Sequence, residues 1–306
     1  MIIVTGRPAS REAPCGMAPP SAWTASRGVP ACLVMVLAGA LASMGCASRM
    51  PANDAGARDV PEATRGIPSG YLSSAQLPDS LSLLPPPPTP GSAAAANDED
   101  MQRRAATLRG SDRWSLAASD AELAFPHAIG TFDCALGIRV DAKETPRLYQ
   151  LLQRTMVDAG LSTSKAKHHY QRTRPFVAHG ETTCFPQDED ALRKDGSYPS
   201  GHTALGWAAA LVLAEVAPDR ADAVLARGRR YGESRLVCNA HWQSDVLQGR
   251  VMGAATVARL HAVPAFAEDV ALARRELASA REAGSTPARD CAAEAHALMP
   301  PIPGVL

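Results

Sequence analysis

From Ser200 to Val216 the chain is apolar on nearly every side of a helical wheel, with Leu205, Trp207, Leu211, Val212 and Leu213 leaving little face for water. A helix of that kind is stable only when other elements surround it. It is also short of the roughly 20 apolar residues that a membrane span requires. The rest of the chain must therefore supply its neighbours, and their patterns are helical too. Thr145-Pro146 reads as an N-cap followed by a first-turn proline, and Leu148, Leu151, Leu152, Thr155 and Met156 recur on one face until Gly160 ends the turn. A second helix is expected from Ser162, stopping before Arg174-Pro175 because proline disfavours helix at the residue preceding it. Pro218 closes the central helix, and three more are expected at Arg220 to Leu236, His241 to His261 and Pro264 to Glu282. Aromatic residues make up only 5% while Ala, Leu and Arg recur at helical spacing, so the fold class is all-α, a helix bundle, over a sandwich or barrel.

Basic and acidic side chains balance at 31 each, so no overall field draws the protein to nucleic acid, and any anion specificity must be local. Residues 1–46 read as an export leader: Arg27 precedes the apolar run Ala31 to Ala42. The stretch before Arg27 is long for a signal n-region, which makes Met17 a candidate start. Ser43-Met44-Gly45-Cys46 is similar to a lipobox without its leucine, leaving two routes open: a lipid anchor at Cys46, or cleavage after Ala42 or Ala47. The expected location is periplasmic or secreted, or at the outer membrane as a lipoprotein. Residues 47–70 have the composition of a flexible tether. The stretch from Tyr71 through Pro85-Pro86-Pro87-Pro88 to Asp98 would be a linker by composition, but its leucines suggest that it docks. A helical domain is expected over 71–283 and a loose tail over 284–306. The four cysteines beyond the leader allow two disulfides in three connectivities; Cys134 with Cys184 and Cys238 with Cys291 is the pairing expected here.

Three clusters carry chemistry, each explicable without function when taken alone. His241 and Asp245, four apart, would share one helical face, so that the carboxylate fixes the imidazole tautomer and frees the other nitrogen to attack; such a pair is more often a solvated contact. Pro199-Ser200-Gly201-His202 opens the central helix, whose first N–H groups and positive dipole end suit a phosphate, yet Ser200 could be only a cap. Lys167 and Arg174 lie seven apart, two helical turns, in a basic neighbourhood with Arg172 that would otherwise read as a solvated face. His168-His169 point to different faces, and no Cys, His or Asp cluster has metal-ligand spacing.

Taken together, Lys167-x6-Arg174-Pro175, then Pro199-Ser200-Gly201-His202, then Ser234-Arg235-x5-His241-x3-Asp245 resembles the tripartite signature of the superfamily joining bacterial class A nonspecific acid phosphatases, type 2 phosphatidic acid phosphatases and vanadium haloperoxidases. Gly196-Ser197-Tyr198, Gly206-Trp207-Ala208 and His241-Trp242-Gln243-Ser244-Asp245-Val246 make the class A phosphatases the nearest resemblance, covering about Tyr71 to Glu282. That resemblance implies the helix bundle of this superfamily and a phosphoric monoester hydrolase acting on nucleotides, sugar phosphates and aryl phosphates. It implies a homo-oligomer, no cofactor and no metal. It also implies roles: His241 as nucleophile oriented by Asp245, His202 as acid and base, and Lys167, Arg174, Ser200, Gly201 and Arg235 holding the phosphate. Transfer of phosphate to alcohols is a further activity in the family. The alternative is a vanadate-dependent haloperoxidase using the same anion pocket. A lipid phosphatase would need several membrane spans, which this chain lacks after its leader. The phosphatase cycle requires His241 neutral and His202 protonated at once, predicting a bell-shaped pH profile favouring the acid side.

Overall fold

The computed structural model describes residues 69–299 and Ile302. The leader, Met17, Cys46 and all but the end of the tether lie outside the described residues. Among the described residues every regular element is helical. In chain order they are α1 (Ser80–Leu83), α2 (Ala93–Ala106), α3 (Asp112–Ser119), α4 (His127–Gly130), α5 (Asp133–Leu136), α6 (Pro146–Leu161) and α7 (Ser164–Tyr170). After these come α8 (Pro175–Ala178), α9 (Glu189–Leu192), α10 (Gly201–Val216), α11 (Ala221–Val237), α12 (Gln243–Leu260), α13 (Pro264–Glu282) and α14 (Cys291–Leu298).

The central helix is α10, as its all-round apolar surface demands: α6, α11, α12 and α13 pack around it, and Ala204, Ala208, Ala209, Val212 and Leu213 are wholly buried. Small residues let the neighbours close in. A side chain on Gly249 of α12 would stand 2.5 Å from the Ser200 carbonyl and 2.8 Å from Thr203 Cβ, so α12 can cross the start of α10 only because that position is bare. Among the described residues no helix is long and apolar enough to cross a membrane.

The proline-rich stretch docks. The Tyr71 amide donates to Asp158 at 2.7 Å, its hydroxyl donates to Asp269 at 2.6 Å, and the Pro85 carbonyl accepts from the Tyr198 hydroxyl at 2.6 Å. Helices α2 and α3, which carry weak apolar patterns, were not anticipated; they lean on α11 and α12 through Met101, Ala105 and Ala117.

Two expectations are corrected. The disulfides are Cys134–Cys291 and Cys184–Cys238, not the neighbouring pairs along the chain. Cys184 and Cys238 flank the site's loops, where the Cys184 amide also donates to the Cys238 carbonyl at 3.2 Å. The stretch read as a loose tail carries α14, capped by Asp290, cross-linked to α5 and buried at Ala297 and Ile302. Its composition hid a helix that a cysteine and a buried ion pair from Glu294 to Arg227 at 3.2 Å hold down.

Candidate active site

His241 is not on a helix. α11 ends at Val237, Asn239 turns the chain with φ at 60°, and α12 starts at Gln243 with Trp242 as its N-cap. The expected pairing across one helical face is therefore corrected: Asp245 is the third helical residue and reaches back over the cap. One of its oxygens accepts the Trp242 N–H at 2.9 Å and lies 3.4 Å from His241 Nδ1. The turn itself is pinned from three sides. The Arg235 carbonyl accepts the N–H groups of Ala240 and His241 at 3.1 and 3.3 Å, Gln102 of α2 donates to the His241 carbonyl at 2.6 Å, and the Trp242 indole donates to the Thr173 carbonyl at 2.8 Å.

Lys167 and Arg174 converge on the same spot by another route than two turns of one helix. α7 stops at Tyr170, Gln171 is left-handed with φ at 43°, and Arg174 is the extended cap of α8. Arg174 Nη1 then comes 3.0 Å from His241 Nε2. One oxygen of Asp195 accepts from Lys167 Nζ at 2.9 Å and from Arg174 Nη2 at 3.0 Å, and the Gly196 carbonyl accepts from both cations.

The third wall is the start of α10. Ser200 is its N-cap, accepting from the Thr203 amide at 3.3 Å, and its own amide donates to the Asp245 carbonyl at 3.0 Å. The amides of Gly201 and His202 fall in the first turn, outside the helical ladder, at the positive end of the dipole. Lys167 passes within 3.7 Å of where a Gly201 Cβ would be. His202 Nε2 lies 2.9 Å from the Ala121 carbonyl, which commits that nitrogen and leaves Nδ1 for other chemistry.

Arg235, on the last turn of α11, is 1% exposed, and its Nε and Nη1 have no hydrogen-bond partner. A buried guanidinium with unused donors is costly unless an anion completes it. Burial and the neighbouring cations shift the whole cluster. Burial first, then Arg174, Lys167 and Arg235, hold His241 well below the usual imidazole range, so it is neutral. Burial and Arg235 do the same to His202, against the pull of the Ala121 carbonyl. Lys167 comes down to about 8 and Arg235 to about 10, each mainly by burial. Burial raises Asp245 while Arg172 opposes the rise. Among the described residues no group of three or more His, Cys, Asp or Glu is placed to hold a metal ion.

Three residues at the site escaped the sequence reading, Asp195 among them. Arg172, read as part of a solvated basic face, is 14% exposed at its side chain; it donates to Asp245 at 2.6 Å, to Ser244 at 2.7 Å and to Asp98 of α2 at 2.7 Å. Asp98 in turn accepts from the Ser244 amide and hydroxyl at 2.8 and 2.6 Å. Nothing local in a lone Arg172 or Asp98 signals this, because they meet only when α2 docks. Ser234 faces away from the cluster: it donates to Asp120 at 2.6 Å and accepts from Arg113 at 2.9 Å, bracing α11 beneath Arg235.

The PAP2 superfamily model matches residues 151–268, which contain every residue of the cluster carried by α7, α10, α11 and α12. A non-specific acid phosphatase of Providencia stuartii is 41% identical over 213 residues, 69% of this chain and 86% of that protein. The chain belongs to the non-specific acid phosphatases of the PAP2 superfamily. It is a phosphoric monoester hydrolase. The non-specific acid phosphatase of Salmonella typhimurium strain LT2 is 46% identical over 171 residues, 56% of this phosphatase and 68% of that one. An acid phosphatase of Zymomonas mobilis subsp. mobilis is 43% identical over 180 residues, 59% and 68% of the two chains. In this phosphatase Arg174 meets His241 directly, and Lys167 and Arg235 lie near enough for their charges to act on the same imidazole.

Proposed function

We propose that this acid phosphatase works through a phosphohistidine at His241, and that the differing surroundings of its two imidazole nitrogens carry the reading. Nδ1 faces the Asp245 carboxylate at 3.4 Å, while Nε2 faces Arg174 at 3.0 Å. The proton therefore belongs on Nδ1 and the lone pair on Nε2, among the cations that gather phosphate oxygens. Nε2 attacks phosphorus, the ester P–O bond breaks, and His202 gives its proton to the leaving oxygen. Water then attacks the phosphorus, His202 takes the water's proton, the P–N bond breaks and orthophosphate leaves. An alcohol in the water's place receives the phosphoryl group instead, which makes phosphotransfer a side activity.

Lys167, Arg174 and Arg235, with the Ser200 hydroxyl and the Gly201 amide, hold the equatorial oxygens, so fixed cations stabilise the charge that develops. EDTA should leave the rate unchanged; loss of activity restored by a divalent cation would contradict this. Only the phosphate is gripped by charged groups, which fits the word non-specific in the relatives' names and a substrate range of nucleotides, sugar phosphates and aryl phosphates. An exported, periplasmic or secreted location is part of the proposal, supported by the two disulfides.

The experiment is hydrolysis of p-nitrophenyl phosphate by wild type, His241→Ala and His202→Ala. Loss of about 10³-fold or more in kcat is expected for His241→Ala, with a smaller loss of about 10²-fold for His202→Ala when the leaving group is as good as nitrophenolate. A His241→Ala enzyme retaining near wild-type kcat would remove the nucleophile from the scheme.

A further inference from the structure

Asp195 stands out because the proposed mechanism has no use for it. Its side chain is 43% exposed, yet a single carboxylate oxygen sits between Lys167 Nζ and Arg174 Nη2, at 2.9 and 3.0 Å. Those two groups are cations that a phosphoryl oxygen would take. Arg174 has no spare donors to offer. Its Nε donates to the carbonyls of Leu192 and Asp195, Nη1 faces the Ala240 carbonyl and His241 Nε2, and Nη2 serves the Asp195 carboxylate and the Gly196 carbonyl. A phosphate entering the cage must therefore take a donor from Asp195 or from His241 itself. Lys167 is less constrained: its ammonium gives one proton to Asp195 and one to the Gly196 carbonyl, leaving a third for a phosphoryl oxygen, but the Asp195 charge still competes for it.

Of these acceptors only the Asp195 carboxylate can leave at low cost. The Gly196 and Ala240 carbonyls belong to the backbone of the cage, and Gly196 is packed so closely on α7 that a Cβ there would meet the Lys167 carbonyl at 2.7 Å. A half-exposed carboxylate, by contrast, can swing into water, where its charge is solvated.

We propose that Asp195 is an internal competitor for phosphate: its carboxylate occupies Lys167 and Arg174 between turnovers, yields them to the phosphoryl group of the substrate, and returns to expel orthophosphate. It is a positioning residue that acts on affinity for the anion without touching the reacting atoms. The consequence is weak product inhibition, achieved without weakening the cations that stabilise the transition state. This inference rests on the phosphate cage proposed above.

The test is competitive inhibition of p-nitrophenyl phosphate hydrolysis by inorganic phosphate, in wild type, Asp195→Asn and Asp195→Ala, with thermal melts to show that each variant folds. Asn keeps the shape and removes the charge; Ala removes both. The inhibition constant for phosphate should fall about tenfold in both variants, the size of one charged hydrogen bond no longer competing. KM should fall with it, and kcat should fall too when phosphate release becomes limiting. A merely structural role, holding Lys167 and Arg174 in place, would move the inhibition constant the other way. Folded variants with unchanged or weaker phosphate binding, beside a wild type that phosphate inhibits competitively, would overturn the role of Asp195 alone. If phosphate inhibits neither the wild type nor the folded Asp195 variants, the cage and this inference fall together.

Discussion

Arg172 shows how a residue's partners decide its role. Asp245 is wholly buried, and its charge is kept by Arg172 at 2.6 Å as well as by the Trp242 amide. The substitution Arg172→Met should leave a buried carboxylate short of its cation, costing about 3 kcal/mol of stability. The His241 tautomer would also lose its anchor, lowering kcat by roughly 10- to 100-fold while changing KM little, the scale of other losses of an outer orienting partner. Urea unfolding and steady-state kinetics check the two halves separately; an Arg172→Met enzyme with unaltered kcat would show that Asp245 needs no second partner. The imidazoles give a second expectation at this scale. His202 is held well below its ordinary range, so in the free enzyme its acid form is scarce near neutrality. A bound phosphoryl dianion favours the protonated ring and raises that value. The basic limb of kcat should therefore lie at higher pH than that of kcat/KM; coincident limbs would contradict it. The sequence did allow His202, His241 and Asp245 to be named, but only through the order and spacing of three motifs taken together, since each cluster alone has a reading without function. It did not reveal Arg172, Asp98 or Asp195, whose meaning comes only from partners 21 to 146 positions away.

Two helix starts meet at the level of elements: α10 delivers Ser200, Gly201 and His202, and α12 follows directly on His241 and carries Asp245. Gly249 sets the distance between them. Gly249→Ala puts a methyl 2.5 Å from a carbonyl and 2.8 Å from Thr203 Cβ, contacts that backbone must move to relieve. A loss of about 1–3 kcal/mol in urea unfolding is expected, together with a fall in kcat because both walls of the cage shift. Full activity with unchanged stability would mean that α12 has slack the packing does not show. Helices α6, α10, α11, α12 and α13 were legible from apolar periodicity and proline boundaries, and the structure begins each within about two residues of its expected start. Helices α2, α3 and α14 were not. Their sequences are rich in Ala, with Asp and Arg as well in α2 and α3, and contacts with α11 and α12 stabilise α2 where its own pattern does not.

For the whole molecule, the disulfides decide which parts stay together. Cys134–Cys291 joins positions 157 apart and holds α14 on the bundle, whereas Cys184–Cys238 closes the loops that carry Arg174 and His241. Replacing Cys134 and Cys291 with Ser should cost about 2–5 kcal/mol and leave kcat near wild type, because neither the bridge nor the two helices it joins supplies a residue of the cage. Peptide mapping under non-reducing conditions should recover these two pairs; recovery of Cys134 with Cys184 would restore the pairing expected from sequence order. Charge balance across the whole chain, 31 acidic against 31 basic residues, gives no sign of the cations gathered around His241. The proposal that this local cage makes His241 a nucleophile has its most direct sign in the covalent intermediate. Wild type mixed with p-nitrophenyl phosphate, quenched in alkali within the first turnover and digested for mass spectrometry, should yield the peptide containing His241 with one phosphoryl group on the ring. Phosphate found on another side chain, or a burst of nitrophenol with no phosphorylated peptide, would contradict the account.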